Sequence, residues 1–146
     1  MQQEFVPLIS SSVCGPLGVL HLPRLWQKIL LHVAGRLPEG YRHGVGGFDE
    51  FLCTSLGVDR DAFIHYVESK KPGYLEVEAW VRANATNLTP ETIAAFNHEV
   101  STRNLPDAML TQRCSDVGIP VGSISRAIPL NDLDDWQAFH RSITQK

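Results

Sequence analysis

Leu22-Pro23-Arg24-Leu25-Trp26-Gln27-Lys28-Ile29-Leu30-Leu31-His32-Val33-Ala34-Gly35 is the stretch that decides the fold. Pro23 fits the first turn of a helix, where its missing N–H has no partner to lose, and Gly35 fits the left-handed residue that closes one. Between them Leu22, Leu25, Trp26, Ile29, Leu30 and Val33 recur at helical spacing and form a broad apolar face, while Arg24, Lys28 and His32 recur every fourth residue as a basic stripe. The spacing therefore predicts an amphipathic helix that buries one side and offers cations on the other.

Further helices read outward from it. Phe48, Phe51, Leu52 and Leu56 share a helical face that Gly57 ends, and Asp59 caps a helix bearing Ala62, Phe63, Tyr66 and Val67. After the break at Lys70-Lys71-Pro72-Gly73, Val77, Trp80 and Val81 mark another, with Glu78 and Arg82 paired on its wet side. Thr89-Pro90-Glu91 is a strong helix start, followed by Ile93, Phe96 and Val100. Pro106 to Val117 carries Met109, Leu110 and Cys114. A last helix opens at Asn131 or Asp132 and bears Leu133, Trp136, Phe139 and Ile143. Pro120, Gly122 and Pro129 make 118–130 an irregular, partly extended segment. The expectation is an all-α, compact, orthogonal assembly of about six to seven helices in one domain over 1–146, with 1–19 as an arm laid over a helical core at 20–146.

Composition narrows the function classes. A chain of 146 residues buries about two thirds of its unfolded surface and needs no disulfide or structural metal to fold. A net charge of −3 argues against a nucleic-acid binder, which carries a dominant basic face. The apolar run 5–22 follows directly on Glu4, lacks a basic leader and is broken by Pro7, Gly15, Pro16 and Gly18, so neither a signal peptide nor a membrane span is expected. Cys14, Cys53 and Cys114 are odd in number and lack a C-x-x-C, which fits a reducing compartment such as the cytoplasm.

The chemistry-bearing residues name no reaction. No zinc-binding pair joins the six histidines, His65 and Glu68 have no second copy of their spacing, and no metal or cofactor is expected. The glycines between Arg36 and Gly47 lack the strand of a phosphate-binding loop and read as flexibility or close backbone packing. No G-x-S-x-G signals a serine nucleophile, and Cys53 lies in an apolar stretch expected to hold an inert thiol. Asp49, between two phenylalanines, is a candidate acid. Asp132, Asp134 and Asp135 read first as charges at a helix start.

The order of Leu22-Pro23-Arg24 with Lys28, Gly40-Tyr41, Phe48-Asp49, Leu56-Gly57-Val58-Asp59, Trp80 and Leu130 to Trp136 resembles bacterial domain-of-unknown-function family number five thousand and sixty-nine. That family's pattern runs L-P-R-x-x-D-K, G-x-Y, L-D-x-x-F-L and an acidic L-D-x-D-D. The resemblance covers nearly the whole chain and implies no activity; it directs attention to Arg24, Lys28, Tyr41, Asp49, Asp132 and Asp135. Two departures stand out: Gln27 replaces the family's Asp, and His140-Arg141 stands where glycines are expected. The resulting expectation is a cytosolic binding or interaction module with an anion-recognising patch of Arg24 and Lys28, supported by Tyr41 and Asp49, meeting a small anion or a protein partner. The alternatives are a small enzyme in which Asp49 or His32 is acid or base beside Arg24 and Lys28, and a homodimer joined through the apolar arm.

Overall fold

The computed structural model describes residues 5–145, which hold seven helices: α1 (Leu22–Val33), α2 (Gly47–Leu56), α3 (Arg60–Lys70), α4 (Tyr74–Asn84), α5 (Pro90–Thr102), α6 (Asp107–Val117) and α7 (Ala127–Thr144). The only extended pairing among these residues is an isolated bridge between Asn104 and Arg126. The fold is all-α. None of the helices is long and apolar enough to cross a membrane.

Helix ends lie where short-range chemistry places them. Asp59 accepts from the Ala62 N–H at 2.9 Å and Thr89 from the Thr92 N–H at 3.1 Å, each satisfying a first-turn donor. Gly57 closes α2 at φ 67°, and the 86–87 loop is strapped to that end by Thr86 N–H on Gly57 O and Asn87 N–H on Leu56 O. Two expectations change. Helix α7 starts at Ala127 and not at Asn131 or Asp132, so the irregular segment is 118–126, extended at its Arg126 bridge, and Pro129 falls within the first helical turn, where proline costs no hydrogen bond. Glu78 is buried rather than wet and accepts from the Leu17 N–H and the Tyr74 hydroxyl.

Leu25, Ile29, Leu52, Leu56, Phe63, Val77, Val81, Phe96 and Val100 form the main core. Helix α1 packs on α3 and α4, and α2 on α3 and α5. Leu110, Cys114, Val117 and Leu130 form a smaller core between α6 and α7. The described part of the arm, 5–21, lies on its own domain, with Val19 fully buried; residues 1–4 of the expected 1–19 arm lie outside the described residues. Side chains of α1, α4 and α5 clasp it. Gln27 accepts from Ile9 N–H and donates to Pro7 O, Glu78 takes Leu17 N–H, and Asn97 accepts from Leu20 N–H and donates to Gly18 O. The arm thereby lies against the first half of α1 and reaches the seam between the two cores.

Candidate functional site

Along that seam runs an open cleft of about 960 Å³. Its floor is made by Ser11 of the arm, His21, Arg24 and Lys28 at the start of α1, and Asp49 of α2. Tyr41 and Arg42 from the connecting loop, Arg103 after α5, Met109 and Arg113 of α6, and Asn131, Asp134 and Asp135 of α7 form its walls. The main core holds one side and the α6–α7 pair the other. The bridge at Asn104 and the Ala127 N–H on Arg103 O join the two at the lining of the cleft.

Of the basic stripe only His32 is on the wet face that the spacing suggested. Arg24 and Lys28 are each 6 % exposed, and each meets a carboxylate from another helix. Arg24 Nη1 donates to Asp135 Oδ2 at 2.6 Å and to Ile9 O at 3.0 Å, while the Tyr41 hydroxyl donates to Asp135 Oδ1 at 2.9 Å. Asp135 sits well inside α7 and aims across the seam, so it is no helix-start charge. Lys28 Nζ reaches both Asp49 oxygens, at 2.9 and 2.8 Å. Asp49 also accepts from the Gly44 N–H at 2.8 Å and from His21 Nε2 at 2.6 Å.

Gly44 is required at its position twice over. Its φ of 110° suits glycine alone, and a Cβ there would collide with the Ile64 side chain. The glycine-rich loop thus serves close packing, which lets a backbone N–H reach a buried carboxylate. Burial pushes the Asp49 carboxyl up, but the His21 hydrogen bond and the Lys28 charge outweigh it and hold the group down at about 2. Burial lowers Lys28, with Asp49 opposing. Burial likewise raises the Tyr41 phenol, reinforced by the Asp135 charge.

Sequence reasoning missed two floor residues. Burial lowers the His21 imidazole despite the opposing Asp49 carboxylate, and its Nδ1 lies 2.8 Å from the buried Ser11 hydroxyl. His21 has φ 73°, a left-handed conformation that a residue with a side chain seldom adopts, and Phe48 packs edge-on against its ring at 5.6 Å between centroids. The one sequence signal for His21 is its i, i+3, i+7 spacing with Arg24 and Lys28. Ser11 has none, because only the course of the arm brings it there.

The structure thus brings Arg24, Lys28, Tyr41, Asp49 and Asp135 into one cleft. His32 and Asp132 stand apart from its lining, and the His32 ring stacks on His43 with centroids 3.6 Å apart. Gln27, where the resembled pattern has Asp, spends its amide on the arm rather than in the cleft; its Pro7 bond needs an N–H that a carboxylate lacks. Every buried side-chain nitrogen and oxygen among the described residues has a partner. No cluster of three or more metal-ligating side chains occurs among those residues.

The family model described as "Domain of unknown function (DUF5069)" matches residues 10–135. No curated protein matches the chain.

Proposed function

On the premise that the chain belongs to the DUF5069 family, we infer that it binds a small molecule with an anionic group in the cleft between its two cores. The observation that carries this reading is that two buried ion pairs, Arg24–Asp135 and Lys28–Asp49, line the cleft. A buried ion pair is often no more stabilising than apolar residues of similar volume, so two of them lining one open cavity suggest a use beyond stability. The cavity also lies within the size range of small-molecule sites.

The charges define the ligand. Arg24, Lys28, Arg42, Arg103 and Arg113 line the cleft with Glu39, Asp49, Glu99, Asp134 and Asp135, so its formal charge is balanced. A polyanion such as nucleic acid finds no net attraction there. Arg24 and Lys28 are already matched and give the floor its polarity. Arg42 has no carboxylate partner among the described residues, and Arg113 donates only to the neutral Asn131 side chain. These two arginines supply the open donors, and the neighbouring acids and amides suit a ligand that also carries hydroxyl or amino groups. Three free cysteines fit a reducing, cytoplasmic setting.

A thermal-shift screen against carboxylates, phosphates and nucleotides tests the reading, using the wild type and the double variant Arg42→Ala/Arg113→Ala. A ligand present at one hundred times its dissociation constant stabilises the fold by about 2.7 kcal/mol. Stabilisation by a defined anion that disappears in the double variant is the expected result. No response in the wild type, or an equal response in both, refutes it.

A further inference from the structure

The Ser11, His21 and Asp49 side chains form one hydrogen-bonded line at the floor of the cleft. Asp49 accepts from His21 Nε2 at 2.6 Å, and His21 Nδ1 meets Ser11 Oγ at 2.8 Å. Both Asp49 oxygens are also bonded to Lys28 Nζ, and one to Gly44 N–H, so the carboxylate is held as an acceptor. An acceptor at Nε2 requires the ring proton to sit there. Nδ1 is then the lone-pair nitrogen, and the hydroxyl on it must donate. Neighbouring Ser10 and Ser12 bond to each other, leaving His21 to Ser11.

We propose that Ser11 is a nucleophile for acyl transfer from a small ester, with His21 as its general base and Asp49 positioning the imidazole. The proposal rests on the cleft being a ligand site. It places the ring nitrogens in the opposite sense from the familiar serine triad, but either nitrogen can serve as base once the other is protonated and oriented. In the first step Ser11 Oγ bonds to the ester carbonyl carbon, its proton moves to His21 Nδ1, and the carbonyl π pair moves to oxygen. The re-formed carbonyl then expels the alkoxide, which takes the proton from Nδ1 and leaves as the alcohol. Water, deprotonated by the same nitrogen, attacks the acyl group and returns the proton to Ser11 Oγ as the acid departs. Arg24, paired with Asp135, also holds Ile9 O two residues before Ser11, and Lys28 holds Asp49, so the two cations fix the ends of the hydrogen-bonded line.

The groups around His21 determine the pH response. Asp49 raises its proton affinity, whereas burial, Lys28 and Arg24 lower it, and Phe48 walls one edge of the ring. The imidazole therefore stays a free base below the ordinary value of 6.5.

The test is labelling by an alkyl fluorophosphonate, which forms an Oγ–P bond and releases fluoride, read by intact mass and peptide mapping. One adduct at Ser11 is expected, absent in Ser11→Ala and formed at least about 100-fold more slowly in His21→Asn, whose asparagine tolerates the left-handed backbone. The wild-type rate falls with acid along a titration whose midpoint lies below 6.5, and Asp49→Asn moves that midpoint lower. An unlabelled wild type, an adduct on another serine, or labelling insensitive to His21→Asn overturns the proposal. The wild type also goes through the anion screen. There, an anion response without labelling removes the nucleophile and leaves the binding reading standing; labelling of Ser11 without an anion response removes the binding reading and leaves the nucleophile.

Discussion

Replacing Asp135 by Ala strands a buried guanidinium. Arg24 is 6 % exposed, and its bonds to Asp135 at 2.6 and 3.4 Å leave it, once removed, only the Ile9 carbonyl at 3.0 Å. The Tyr41 hydroxyl loses its acceptor in the same step. Breaking one side of a buried pair costs about 3–5 kcal/mol. The specific unfolding entropy of a domain this size converts 1 kcal/mol into about 3 °C, so the variant should melt about 10–15 °C lower. Urea denaturation should show the loss as a lower midpoint at unchanged slope. The double variant Arg24→Met/Asp135→Leu restores apolar packing in place of the stranded charge, and it should recover most of the stability. An Asp135→Ala loss below about 1 kcal/mol, or a double variant as weak as the sum of the singles, would show that the buried pair is not formed. If the double variant is stable but no longer responds to the anion, the pair belongs to the site and not to the fold.

The folded state should weaken in acid through Asp49. Its carboxyl is held at about 2 against an ordinary 3.8, so its contribution, about 2 kcal/mol, is complete above pH 3.8 and lost as pH falls toward 2; urea midpoints against pH should show this step in the wild type and not in Asp49→Asn. Gln27→Ala releases two bonds to the arm, at Ile9 N–H and Pro7 O, so hydrogen exchange at Ile9 should quicken by tenfold or more, about 1.4 kcal/mol, while amides of the main core keep their protection. Among the thiols, exposed Cys14 should react with a disulfide reagent in the native protein. Cys53, which burial pushes up to about 12, and buried Cys114 should react only on unfolding. Gly57→Ala places a side chain at φ 67° and against the Thr86 hydroxyl; the backbone alone costs about 1–2 kcal/mol, measurable by thermal melting.

What was legible in the sequence was what neighbours in the chain decide. Asp59, Thr89-Pro90 and Gly57 act within one helical turn, and each marks the boundary that the structure has. Pro129 misled because a proline that ends one helix is equally at home in the first turn of the next; its reading turns on where Ala127 begins the helix, and Arg103 O, 24 positions earlier, accepts the Ala127 N–H. Arg24 and Lys28 were legible as a pair, but their burial was not. Their partners lie 111 and 21 residues away, and a cation at helical spacing looks the same whether water or a carboxylate faces it. Ser11 was invisible because a serine in a non-helical arm acquires meaning only from what lies beneath it.

The arm contributes to the site as well as covering the core. It supplies Ser11, carries the Ile9 carbonyl that Arg24 uses, and ends at His21. Its partner Asp135, reached through Arg24, is made more than a hundred residues later. During synthesis the first pieces of the cleft therefore leave the ribosome long before the helix that completes it, and α1 must wait with two cations unmatched until α2 and then α7 emerge. The cleft is among the last features of the protein to form on a nascent chain. A fusion that pulls on the amino-terminal side of Pro7 would unseat it while leaving the helices around Phe63 and Val81 in place.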